Sequence, residues 1–169
     1  MAPLAVREDS CVNEPTDIRK LLREDHEATI RELEALRAEN DSRKCVARLA
    51  QLRRTWVIHA LAEETVVYRA LEGMAAEATP TVQADERFIE HELVEGLFDK
   101  LSRSRPGTIE WTARLNVARE LIRRHIESEH DEMFTRLDRN FDLEALTELG
   151  HRFAIAREKL ALLEDAKAA

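Results

Sequence analysis

Glycine and proline are scarce, with four of each in 169 residues. So little turn-forming punctuation is inconsistent with many short elements and points to a few long ones. Aromatic residues are only 5% of the chain, whereas Ala, Leu, Glu and Arg dominate, which predicts an all-helical protein. Cysteine is almost absent. Cys11 and Cys45 have no metal-site spacing, and both are expected as reduced thiols of a cytoplasmic protein. No window approaches the ~20 apolar residues of a membrane span. The opening stretch "MAPLAVREDSCVNEP" also lacks the apolar run of a secretory signal. Positive charge is in deficit too: the net charge of −8 argues against nucleic acid or an anionic membrane as partner. The length suits one domain with a proper core.

What is present is long helical pattern. Residues 1–15 read as a flexible tail, after which Thr16 is a plausible cap for a helix over about 17–39. "NDS" at 40–42 closes it. A second helix is expected over about 43–74, interrupted by "EATPT" at 77–81, and a third over about 82–104, stopped by "RPG". Thr108 should cap a fourth helix to about 139. "NFD" then precedes a fifth over about 143–164, in which Gly150 is a candidate bend. The architecture expected is an up-down-up-down four-helix bundle over 16–140, with an additional C-terminal helix within 141–169 packed on the bundle or at an interface. A monomer or a homodimer fits equally.

The stripes that should face the bundle interior carry unusual residues. They run Ile18, Leu22, His26, Ile30, Leu33 in helix one and Leu52, Trp56, His59, Glu63, Val66, Ala70 in helix two. Helix three gives Ala84, Phe88, His91, Glu95, Phe98, and helix four gives Trp111, Leu115, Ala118, Ile122, His125, Glu129, Met133. Each stripe has one histidine, at 26, 59, 91 and 125, about one helix and one turn apart. In an antiparallel bundle those positions meet near mid-height. Three are followed four residues later by a glutamate on the same face.

Burying several imidazoles and carboxylates without compensation costs several kcal/mol per ion. A pair of metal ions compensates, because its charge stabilises the carboxylates and its bonds engage the imidazole nitrogens. The ligand set exceeds that of a structural zinc and contains no thiolate. It suits two five- or six-coordinate ions, with iron favoured and manganese or zinc as lesser options. Glu63 and Glu129, from different helices, are the natural bridges.

At these residues the sequence resembles the hemerythrin-like (His-His-Glu cation-binding) domain family. The resemblance lies in His26, "HALAE" from 59, "EHELVE" at 90–95 and "HIESE" from 125, with the continuations "AEETVVYRAL" and "EHDEMFTRL". It covers about 16–140. It implies two iron ions with a bridging oxo or hydroxo group, and it implies His26, His59, Glu63, His91, His125 and Glu129 as ligands. Two departures separate the chain from oxygen-carrying members. Where they have a second histidine on the third helix this chain has Glu95, a candidate further ligand. Where their fourth-helix carboxylate stands, five residues after the histidine, this chain has His130, and the carboxylate is Glu129. A carboxylate in place of imidazole favours the ferric state and weakens the case for reversible oxygen carriage.

The function expected is therefore reaction with hydrogen peroxide or related small oxidants, catalase-like or peroxidase-like. The alternative is an oxygen, nitric oxide or iron binding or sensing module without turnover. Small molecules are the partners, and no catalytic residue is expected beyond the metal centre. Tyr68, Glu64 and His130 are candidate outer partners of the ligands, and Glu132 flanks them.

Overall fold

Five helical rods form because five apolar stripes have to be buried, and the caps set where each begins. The computed structural model describes residues 16–74 and 82–168. The tail with Cys11, the break at 77–81 and the side chain of Ala84 lie outside the described residues. Helix α1 spans Ile18–Ala38. Its cap is Asp17 rather than the expected Thr16, because the Asp17 carboxylate accepts from the Arg19 backbone N–H at 2.8 Å. Asp41 caps α2, Ser42–Glu63, in the same way, accepting from the N–H groups of Arg43 and Lys44.

The second rod continues through a π-helical turn, Glu64–Tyr68, into α3, Arg69–Gly73. Helix α4 spans Val82–Ser102. The turn after it uses Gly107 at φ 80°, a conformation that favours glycine. Thr108 caps α5, Ile109–Ser128, as expected, its hydroxyl accepting from the Trp111 N–H at 3.2 Å. A second π turn, Glu129–Met133, leads into α6, Phe134–Asn140.

Helix α7, Leu143–Ala168, runs unbroken through Gly150. The glycine is there for close approach: a Cβ at 150 would lie 2.0 Å from the Thr16 carbonyl oxygen and 3.1 Å from the Ile18 nitrogen. Its lack of a side chain lets α7 pack on the start of α1.

Neighbouring rods close a ring in the order α1, α2, α4, α5, and α7 lies in the groove over α1 and α2. Among the described residues there is no strand and no helix long and apolar enough to cross a membrane. The apolar interior is split in two. One cluster, with Leu33, Leu49, Trp56, Phe98 and Trp111, fills the end where α1 meets α2 and α4 meets α5. It also holds Cys45, a free and buried thiol. The other, with Ile18, Leu22, Val67, Phe134 and Phe153, fills the opposite end. Between them lies a layer of buried polar side chains.

Candidate metal centre

That layer is made of His26, His59, Glu63, His91, His125 and Glu129, all buried. Each rod delivers its histidine at the same height. α2 and α5 each add a carboxylate one turn further on, immediately before or within a π turn. Such single-turn π insertions favour functional sites because they re-aim side chains without ending the helix.

The imidazoles point at one another in pairs. The Nε2 atoms of His26 and His59 are 3.2 Å apart, and those of His91 and His125 are 3.0 Å apart. Glu63 Oε2 lies 3.5 Å from His59 Nε2 and 3.7 Å from His91 Nε2. Glu129 Oε2 lies 3.3 Å from Nε2 of both His26 and His125. Glu63 Oε1 and Glu129 Oε2 nevertheless have no hydrogen-bond partner, although both carboxylates are 0% exposed. Glu129 Oε2 is close to two rings but at a hydrogen-bonding angle to neither. Unsatisfied oxygens in a dry core are costly, and a cation is the natural partner.

The spacing fits that partner. Donors about 2.1 Å from an octahedral ion stand roughly 3.0 Å apart when adjacent and about 4.2 Å apart when opposite. Two groups have donor atoms all within 4.8 Å of one another: Glu63, His91, His125 and Glu129, and His26, His59 and Glu63. Glu63 is common to both.

The Nδ1 atom of every imidazole meets an outer partner on the next rod. Asp25 Oδ2 is 3.2 Å from His59 Nδ1, Glu64 Oε1 is 2.8 Å from His91 Nδ1, and Glu90 Oε2 is 3.1 Å from His125 Nδ1. His130 Nε2 closes the ring, 3.1 Å from His26 Nδ1. Partners of this kind fix the tautomer, hold Nε2 free to ligate and strengthen it as a donor. The two halves of the bundle repeat each other. Asp25, His26, His59, Glu63 and Glu64 correspond to Glu90, His91, His125, Glu129 and His130.

The charges are unevenly shared. Burial, and after it the Glu129 charge, push Glu63 well above the usual carboxylate range. Burial acts the same way on Glu129, yet His125 and His26 outweigh it and hold Glu129 well below that range. Burial depresses His59 to about 4. It opposes the charge on His125 as well, but Glu129, Glu90 and Glu63 overcome it and lift that imidazole to about 10. The Tyr68 hydroxyl donates to Glu129 Oε1 at 2.6 Å, and its oxygen lies 3.3 Å from Glu63 Oε2.

Glu95 does not join the group. Its side chain is 48% exposed and lies 3.6 Å from Arg53. The buried seam of α4 steps from His91 to Val94, Phe98 and Leu101, so a residue four positions after His91 turns out to solvent. It therefore adds no charge to the centre, and the anionic character comes from Glu63, Glu129 and the outer acids. Glu132 is also outside, paired with Arg87 at 3.2 Å.

Asp25 and Glu90 are outer partners that sequence reasoning missed. Each directly precedes a histidine, but each serves the imidazole of a neighbouring rod, which only the assembled bundle reveals. Trp56 is the other omission. Its ring sits 5.5–6.0 Å from those of His59, His91 and His125 and seals the layer on one side.

Residues 17–137 match the hemerythrin HHE cation-binding domain. The chain belongs to the hemerythrin family. No curated protein and no solved structure matches it significantly. The hemerythrin domain thus covers all four histidine-bearing rods and the buried layer, and its boundary falls before α7.

Proposed function

We propose that this hemerythrin domain holds two iron ions and reacts with hydrogen peroxide or a related small oxidant. His91 and His125 would hold one ion, His26 and His59 the other, and Glu63 and Glu129 would lie between them. The observation that carries this reading is the pair of carboxylates, fully buried, each leaving one oxygen without a hydrogen bond. Bound iron would supply redox chemistry and open positions for a small oxidant.

The chain supplies the rest. Asp25, Glu64 and Glu90 hold three imidazoles in the donor tautomer, and their negative charge favours the higher oxidation state. Tyr68 donates to Glu129 and lies against Glu63 on one side of the pair. The apolar clusters close the layer above and below. Because Glu95 faces solvent, α4 contributes one nitrogen, which would leave a position for a small molecule.

The test is oxygen evolution from peroxide by the iron-loaded protein. A rate well above that of free iron, abolished in His59→Ala, is expected. An unchanged rate in that variant, or none above free iron, rules the reading out. A sensing role without turnover draws on a different observation: the polar layer separates two apolar clusters, so metal occupancy is coupled to folding. Metal-dependent stability without peroxide turnover would favour it.

A further inference from the structure

Helix α7 lies beyond the hemerythrin match yet reaches the centre. We propose that α7 is a working part of this chain's metal centre, with Arg157 as the positioning residue for His59. The inference rests on the reading above that His59 holds an ion.

Arg157 Nη1 is 2.8 Å from Asp25 Oδ1, and Asp25 Oδ2 is the oxygen that meets His59 Nδ1 at 3.2 Å. Both carboxylate oxygens are thereby committed, and the plane of Asp25 is set. Phe153 of α7, fully buried, places its ring edge-on to His59 at 6.2 Å. The Arg157 guanidinium lies 5.7 Å from the centre of the same ring. Two α7 side chains therefore brace His59, one directly and one through Asp25.

The repeat within the bundle shows what this bracing replaces. In the other half, Glu90 meets His125 through Oε2 and is fixed through Oε1 by Arg124 at 2.8 Å. That arginine directly precedes its histidine. The corresponding residue before His59 is Ile58, which is buried. An arginine cannot serve there, so the guanidinium that the bundle provides for Glu90 is provided for Asp25 by α7. The acid borders water, because a groove of about 620 Å³ between α1, α2 and α7, lined by Arg157 as well, reaches Asp25 and His59; Arg157 is what fixes its free oxygen there. A part-exposed ion pair contributes little to folding. Its effect should appear in how firmly one ion is held.

The experiment uses the full chain loaded with iron-57 and reads release to a chelator together with the Mössbauer spectrum. In Arg157→Gln, one ion per chain should leave about 10–100-fold faster, and one of two quadrupole doublets should shift. Arg157→Lys should fall between that variant and the parent, and it decides the matter if the glutamine variant does not fold. Arg54→Gln is the control. It breaks a polar tie between α2 and α7, to Asp165 at 2.7 Å and the Ala161 carbonyl at 3.1 Å, which does not lead to a ligand. It should leave the release of both ions and both doublets as in the parent. Parent-like release in the Arg157 variants, or the same shift in Arg54→Gln, overturns the role of α7. A parent chain that retains no iron overturns the metal reading along with it.

Discussion

Glu63 and Glu129 occupy corresponding positions in two halves of one bundle, yet their acidities are driven apart. The same holds for His59 and His125. In the metal-free protein this has a definite consequence for stability against pH. His59, depressed to about 4 from an ordinary 6.5, stays neutral while the unfolded chain protonates, so stability is lost as pH falls through that interval. His91, depressed by burial, and Glu129, held low, act in the same direction. His125 keeps its proton up to about 10, so between 6.5 and 10 the folded chain binds more protons and stability falls as pH rises. Glu63, raised, also makes stability fall as pH rises, beginning from its ordinary 4.5. The two limbs should meet near neutral pH. Melting temperature measured against pH on chelator-treated protein should show a maximum there. In the metal-loaded protein the alkaline limb should be suppressed, because the ion replaces the protons of Glu63 and His125. A metal-free melting temperature that stays flat between pH 6.5 and 9 contradicts this. Proton release on metal addition at pH 7 is an independent check on the same groups.

At the scale of the element, two helical glycines make opposite demands. Gly96 lies within α4, and a Cβ there meets nothing within 4 Å. Gly96→Ala should stabilise by about 0.5–1 kcal/mol through helix propensity alone. Gly150→Ala gains the same propensity but drives a methyl group into the backbone of Thr16. A net loss of about 1–3 kcal/mol is expected, by analogy with overpacked cores. Urea unfolding of both variants tests the contrast, and equal effects would show that α7 does not dock closely on α1. The rods themselves were legible in the sequence, because apolar spacing and cap residues are local: Thr108 and the stripe through Leu115, Ile122 and His125 read directly. Gly150 was not, since its reason is a contact with a residue far away in the chain. The π turns left no local mark either. They shift the face that follows them by one residue, as at Val66 and Val67, and periodicity alone does not register that. Glu95 was misplaced for a related reason. Steps of three and of four both keep a helix stripe, and the seam of α4 takes the step of three to Val94.

For the whole molecule, the six buried polar side chains form a layer between two apolar clusters that, among the described residues, have no member in common. The fold has one continuous core only when the layer is satisfied. Metal binding should therefore be a large part of its stability. An ion present at a hundred times its dissociation constant adds about 2.7 kcal/mol. For a chain of this size each kcal/mol is worth roughly 2–4 °C. Removing one ion should thus lower the melting temperature by about 5–10 °C, and removing two by more. The two tryptophans permit a spatial check on the same experiment. Trp56 touches three of the imidazole rings, whereas Trp111 is packed among Leu115 and its neighbours in one apolar cluster. In a Trp111→Phe variant, where Trp56 reports alone, metal addition should quench fluorescence in proportion to occupancy. In Trp56→Phe the signal should hardly respond. If chelation leaves the melting temperature unchanged while Trp56 still responds, the layer binds metal but the two halves of the core cohere without it. Coupling of occupancy to folding, and the sensing role built on it, would then be excluded.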